Sequence, residues 1–390
     1  MADGAGMHAG STDGLAVRPV RTAREREIFL RLPRRIFADD PAWVPPMLRD
    51  ERCKLTPRCH PFYEHGRAEF WLAWRGGEPV GRISAQIDRR AAQAGTPRTV
   101  HFGMLDAPDD AAVFDALVAA ARGWAKAQGG SVLEGPYSLT LNEEFGVLVE
   151  GFETPPVVMM AHTRPYYLTR LAELGFAKAK DFHHWVITPV PETLAKMRGF
   201  FGRLRVPEGS VLRTSTARSL RRDFHLGMRV YNAAWRQQWG FVPVTPREVE
   251  LLADRLRFIY DPRLMMLAER GGETIAFCCC IPDYNEATRD LGGRMLPFGW
   301  IRFAWRLARR RIKGARLILI GVDPRYQKTL AGAALHMIMV YRMIEYLLAR
   351  GYSALELAWM IEDNRDMLKL AAHFDARPKK LYRVLRLPLD

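Results

Sequence analysis

The chain has no uncharged apolar run of the roughly 18 residues that a bilayer-spanning helix needs. Its most apolar stretch, GAALHMIMVYRMIEYLLA from Gly332, contains His336, Arg342 and Glu345, and so reads as a helix buried in a protein core. Cysteine is scarce: Cys53, Cys59 and the consecutive Cys278, Cys279 and Cys280 are the five in 390 residues. They have neither the paired spacing of a zinc site nor the density of a secreted scaffold, which fits a reducing cytosol and assigns no metal. On a strand, the run of three sends alternate side chains to opposite faces, as core filling requires. The start, MADGAGMHAGSTDGL, lacks the basic residues and apolar segment of a secretion signal, so residues 1–15 read as a disordered tail. Acidic residues are outnumbered, 43 against 58 Lys and Arg, for a formal charge of +15. That excess implies an anionic partner and leaves open nucleic acid, anionic lipid or a phosphate-rich cofactor.

What is present begins with a repeat. FWLAWRGGEPVGRISAQI (70–87) returns as LMMLAERGGETIAFCCCI (264–281), with Arg75 and Arg270 separated by 195 residues, half the chain. The simplest reading is one supersecondary plan used twice, which agrees with a length that exceeds what one hydrophobic core usually serves. In each copy a double glycine supplies the positive φ of a tight hairpin turn. Around the first lie a strand at 16–20, a helix capped by Thr22, a strand TVHFGML, a helix from PDDAAVF to the next double glycine, a strand SVLEGPYSL, a helix PYYLTRLAELG and a strand DFHHWVI. The second half follows the same order, from VLRTS to the closing strand KKLYRVLRL, with a further helix at 245–259. Strands alternating with helices imply an α/β protein of two lobes with mixed sheets, 16–190 and 211–390, joined by a Pro-rich basic linker at 191–210.

The second half resembles the GNAT acyltransferase fold. It has a hairpin, a strand ending V-x-P (Val322, Pro324), a loop, a long helix, a strand ending in an acid-Asn pair, a short helix and a final strand. The resemblance implies that Gly321, Val322, Pro324, Gln327, Gly332 and Ala333 hold an acyl-CoA. In such a site, backbone N–H groups at a loop and helix N-terminus receive a pyrophosphate. Gln327 and Gly332 match the family loop, Gln/Arg-x-x-Gly-x-Gly/Ala, whereas Leu330 stands for its first glycine. Four strings, GPYSLTLNEEFGVLVEGF, YNAAWRQQWGFVPVT, PDYNEA and RMLPFGWIRF, are similar as a set to the tandem-GNAT N-acyltransferases that include bacterial ceramide synthases. That resemblance implies transfer of a fatty acyl group from acyl-CoA, or from an acyl carrier protein, to the amine of a sphingoid base. The product would be a (dihydro)ceramide, formed in the cytoplasm at the inner membrane.

The stretch PFGWIRFAWRLARRRIK (297–313) carries a reading of its own. At about 100° per residue, Arg302, Arg306, Arg309, Arg310 and Lys313 gather on one arc, and Trp300, Ile301, Phe303, Trp305 and Leu307 fall outside it. Such a helix is too charged to span a bilayer and suits an anionic interface. The competing reading packs its apolar arc on the protein itself.

Acyl transfer to an amine needs a base, oxyanion donors and a proton for the leaving thiolate. Glu362, followed by Asp363 and Asn364 at the end of a strand, is a candidate base, and its two neighbours are candidate helix caps. Glu144, Asp283 and Asn285 are candidates through the family-like strings that hold them, although loop acids of this kind are more often merely solvated. Val322 N–H is the candidate oxyanion donor. Asn142, Trp235, Trp239 and Phe241 are candidate channel residues, and the two tryptophans fit one core-facing helix equally well. The tyrosine that many family members place after the acid-Asn pair falls at Ala371 here, leaving Tyr326 as a substitute. Two rivals stand beside this reading: a tRNA-dependent aminoacyl transferase, disfavoured because the charge sits in a Trp-bearing helix rather than a stacking groove, and a non-catalytic membrane scaffold.

Overall fold

The computed structural model describes residues 14–91, 98–188, 190–256 and 260–389. The expected tail, apart from Gly14 and Leu15, and the end of the helix expected at 245–259 lie outside the described residues. The first half contributes β1 (Ala16–Pro19), β2 (Gly66–Arg75), β3 (Glu78–Asp88), β4 (Thr99–Asp106), β5 (Val132–Gly135), β6 (Val147–Glu150) and β7 (Ala177–Ile187). From the second half come β8 (Ser210–Thr214), β9 (Met265–Arg270), β10 (Glu273–Pro282), β11 (Gly314–Val322), β12 (Ala354–Ile361) and β13 (Arg377–Pro388). They form one mixed sheet in the order β1-β2-β3-β4-β5-β13-β7-β12-β11-β10-β9-β8, with β6 paired to β13.

The two RGGE turns match in φ. Gly76 and Gly77 have φ of 56° and 84°, and Gly271 and Gly272 have 57° and 82°. Arg75 pairs with Glu78 as Arg270 pairs with Glu273. No atom lies within 4 Å of a Cβ placed on any of the four, so it is the left-handed backbone, not crowding, that demands glycine. Helix starts at Thr22 and Asn364 follow the expected caps, and Thr329 caps a third. Thr22 forms a reciprocal capping box with Glu25, Thr329 accepts Gly332 N–H at 3.1 Å, and Asn364 accepts Met367 N–H at 3.2 Å.

The closing strands are exchanged between the halves. β13, last in the chain, inserts between β5 and β7, and β7 pairs on its other side with β12. Each half is therefore completed by the other's last strand, and the two lobes share a continuous sheet. The segment expected as a linker holds a helix, Pro191–Phe201, with Met197 and Phe201 buried. Phe201 stacks on Phe374 at 4.5 Å, so this connection is part of the second core. Cys278, Cys279 and Cys280 are fully buried in that core. Cys53 and Cys59 depart from the reading of reduced cysteines, being joined as a disulfide.

Candidate active site

β11 and β12 run parallel but pair only from Gly314 to Leu317 and Ala354 to Leu357. Beyond that they diverge. β10–β11 pairing slips between Cys279 and Cys280, β12–β7 pairing slips between Leu357 and Met360, and Trp359 takes a positive φ of 61° within the second slip. The wedge opens into a cavity of about 1500 Å³, above the roughly 300–1,000 Å³ usual for one small ligand. Leu317 to Ile320 and Leu357 to Ile361 line it. Asp323 donates its N–H to Ile275 of β10; since ladder partners alternate along an antiparallel strand, Ile320 and Val322 turn their backbone groups toward the wedge. Two bonds agree with that orientation: Trp235 Nε1 donates to Ile320 O at 2.9 Å, and Gln327 Nε2 to Val322 O at 3.1 Å.

The corresponding wedge of the first half is closed by its own chain. Tyr137 N–H donates to Phe102 O at 2.8 Å, and a Cβ on Gly103 would stand 1.6 Å from Tyr137 O. At the wedge of the second half, Gly332 serves a tight approach of another kind. A Cβ there would meet Tyr326 O at 2.1 Å, so only glycine lets the helix start against this loop. Leu330, in place of the family's first glycine, is 93% exposed. Val322, Gln327 and the Thr329-capped start of the helix Leu330–Ala349 thus gather beyond one end of the wedge; neither they nor Gly321, Pro324, Gly332 and Ala333 line the cavity, and their polar backbone can receive a phosphate group only outside it. Gly321 pairs with Phe277 inside the sheet, and Ala333 lies in the first turn of the helix.

On the opposite wall the cavity meets charge. Lys54 Nζ is bonded to Glu51 at 2.7 Å, Glu144 at 2.6 Å and Ser138 at 3.0 Å, which uses all three of its donors. Burial works against its charge, and the surrounding Glu144, Glu51 and Glu143 carboxylates more than reverse this and hold it protonated. Burial also pushes the Glu143 carboxyl up, but Lys54, His60 and Arg255 outweigh it and keep the group at about 2. His60 Nε2 lies 2.8 Å from Glu143 Oε1. The Cys53–Cys59 disulfide brackets Lys54 and flanks His60, fixing the segment that carries both.

Asp283 and Asn285 face a different task. Asp283 Oδ1 accepts Val158 N–H at 2.8 Å and Asn285 N–H at 3.2 Å, and Asn285 Nδ2 donates to Pro156 O at 2.9 Å. Arg316, fully buried, donates to Val158 O and Met159 O at 2.6 and 2.8 Å and sits over the Trp359 ring at 5.5 Å. The three side chains of the second half thus clamp a loop of the first, and Val158 and Met159 from that loop form cavity wall. Burial lifts the Asp283 carboxyl to about 7 and lowers the Arg316 guanidinium to about 10.

The structure therefore brings together Asn142, Glu144, Asn285, Trp235, Trp239 and Phe241, all on the cavity wall. The helix expected through Trp239 ends at Ala234, so both tryptophans sit in the turn beyond it. Glu362 stands apart from the cavity, accepting Asp181 N–H at 3.1 Å and pairing with Lys178 at 2.7 Å. Tyr326 also lies off the cavity, next to Arg270 and Arg325, and Ala371 is buried. Lys54, His60, Arg255, Tyr231 and Arg316 line the cavity unanticipated; the one signal for two of them was their position beside Cys53 and Cys59.

No family model matches the chain. Among solved structures it is similar to a tandem GNAT protein from the clavulanic acid biosynthesis pathway, with TM-score 0.54 and 14% identity, over 96% of this chain and 99% of that one. A GCN5-related N-acetyltransferase from Sphaerobacter thermophilus gives 0.51 and 14%, over 96% of each chain. These place the fold among tandem GNAT proteins. The bacterial ceramide synthase of Caulobacter vibrioides (strain NA1000 / CB15N) is 38% identical over 374 residues, 95% of this chain and 96% of its own. The chain belongs to the bacterial ceramide synthase family. Protein YghO of Escherichia coli (strain K12), 34% identical over 373 residues and 94% of each chain, is a second relative. Family and fold together make the chain an N-acyltransferase, which takes an acyl donor and an amine acceptor.

Proposed function

We propose that the chain moves a fatty acyl group from acyl-CoA to the amine of a long-chain sphingoid base, working at an anionic membrane surface on the cytoplasmic side. The observation that carries this reading is the continuity of one large cavity from the β11–β12 wedge to the Lys54–Glu144 wall. A thioester in the wedge and an amine at the carboxylates share that space, with apolar walls for two chains. No described helix is long and apolar enough to cross a membrane.

In this reading the ammonium of the acceptor meets Glu144, which is held by Lys54 and partly open to the cavity, and gives up a proton to it. The neutral amine attacks the thioester carbon, and Val322 N–H receives the developing oxyanion. As the C–N bond forms and the C–S bond breaks, the nitrogen gives up its second proton and the thiolate takes one, so that the amide keeps a single hydrogen and the thiol leaves neutral. Tyr231, in the last turn of the helix Leu220–Ala234 and kept protonated by burial, which pushes it up to about 12, is the donor we assign, its proton restored by the one the nitrogen loses. Asp283 and Asn285 act by holding the loop 156–159. The first lobe, its wedge filled, supplies acceptor wall and no donor site.

The test is incubation of the purified protein with palmitoyl-CoA and a sphingoid base in anionic vesicles, read by mass spectrometry for N-acyl product and free CoA. Product with equimolar CoA supports the reading. CoA release without product moves the acceptor to another amine, and no reaction beside tight, salt-sensitive tRNA binding favours the aminoacyl rival.

A further inference from the structure

The helix expected over 297–313 is shorter than the pattern suggested, and its apolar arc divides. It covers Gly299–Ala308, and Arg310 ends the turn beyond it with φ of 49°. Phe303 points inward and is buried, whereas Phe298, Trp300, Ile301 and Trp305 remain 44–71% exposed. Leu296, just before them, is 76% exposed. Five large apolar side chains within ten residues form an outward patch of the kind that marks an interaction surface. Its charge is positive. Arg302 is open to solvent, and Arg309 and Arg311 lie over the Trp305 ring at 5.8 and 4.4 Å. Arg306 turns back to Asp290 and the Ala287 carbonyl, which ties the helix to the short helical segment Asn285–Thr288 that follows β10 and to Asp290 beyond it.

A second observation gives the patch a purpose. Leu296 belongs to the exposed patch and also lines the cavity, together with Arg294, Met295 and Phe303. Across from them Pro46 and Met47 of the first half line the same cavity, and Leu48 N–H donates to Gly293 O at 3.0 Å. The patch is thus the outer rim of a mouth. It stands at the Gly314 end of β11, where Glu286 accepts the Lys313 and Gly314 N–H groups at 2.7 and 2.8 Å. The phosphate-receiving loop stands at the Val322 end of that strand. Nine residues of strand separate the two ends by roughly 27 Å.

From this we infer that the cavity has a lateral portal, rimmed by Leu296 and by Pro46–Met47, through which the lipid amine passes directly from an anionic bilayer. The inference rests on the acyltransfer reading and adds a route to it. The water-soluble nucleotide part of the donor stays at the far end of β11, and the acceptor never crosses water. A basic, tryptophan-bearing surface is complementary to anionic headgroups, and its continuity with the cavity selects a bilayer over a protein partner.

The experiment uses the full chain with two acceptors: a sphingoid base embedded in vesicles of phosphatidylcholine and phosphatidylglycerol (7:3), and a short-chain amino alcohol dissolved in water. Leu296→Asp, with Leu296→Ser as the milder variant, is compared with wild type. The portal predicts a fall of at least tenfold in the ratio of embedded to dissolved acceptor turnover, with vesicle co-sedimentation within twofold of wild type. A photoreactive sphingoid base in the same vesicles, applied to wild type, should label the peptide containing 294–303 or that containing 46–48. An unchanged ratio, or labelling confined to other peptides, overturns the portal while leaving the acyltransfer reading intact. Wild type that acylates neither acceptor overturns both.

Discussion

Asp283 separates a clamp from a catalyst, and Asp283→Asn is the change that asks the question. Its carboxyl is buried and titrates near 7 rather than the usual 3.8, so the protonated form is the one the fold favours. An acid whose folded pKa is raised contributes its full stability below the unfolded pKa and loses it as pH rises through the folded one. Linkage over that interval gives a wild-type loss of about 3 kcal/mol between pH 5 and pH 8.5 from this group. Asparagine keeps an oxygen for Val158 N–H and Asn285 N–H and cannot ionise. Urea unfolding should therefore show a shallower loss of stability with pH for the variant, so that its stability relative to wild type rises from pH 5 to 8.5. Acyl transfer should stay within about fivefold of wild type, whereas a general base replaced by an amide loses roughly 10²–10⁴-fold. A hundredfold fall in kcat with the fold intact, or identical pH slopes, would refute the clamp. Asp283→Ala removes the acceptor itself and should destabilise by about 1–3 kcal/mol for each stranded N–H.

The other predictions test the cavity wall and its supports. Glu144→Gln should lower kcat about 10²–10⁴-fold as expected for lost proton acceptance, and Glu362→Gln, which changes a half-exposed pair outside the cavity, should leave turnover within about threefold; the same mass-spectrometric assay reads both. Lys54→Ala strands the buried Glu51 and leaves the partly open Glu144 without its cation, and should cost about 3–5 kcal/mol in urea unfolding. Gly332→Ala sets a methyl 2.1 Å from Tyr326 O; it should raise KM for acyl-CoA at least tenfold with little change in KM for the amine. Reducing the Cys53–Cys59 bridge, which closes a loop with a sequence separation of 6, should lower stability by about 2 kcal/mol on the loop-entropy relation, measured as a Tm shift with and without dithiothreitol.

Local chemistry was legible because it depends on neighbours in the chain. The double glycines at 76–77 and 271–272 announce their hairpins through backbone dihedrals alone. Thr22 and Asn364 announce their helices because a cap bonds only two or three residues ahead. The run Cys278–Cys280 reads as core from strand alternation. The family-like strings led to Glu144 and Asn285 on the cavity wall, and to Asp283 beside it, without indicating what each one touches.

What the chain by itself determined, then, was two copies of an α/β plan, their turns and caps, and the apolar and basic character of 297–313. Tertiary structure alone decided that β13 completes the first half and β7 pairs into the second, since strand pairing is a long-range hydrogen-bond choice that no local pattern encodes. It alone separated Glu362 from the cavity and brought in Lys54, about 90 residues from Glu144 in sequence. It also divided the apolar arc of the amphipathic helix into a buried Phe303 and an exposed rim. Periodicity tells which side chains share a face; only the packed neighbours decide which part of that face is covered.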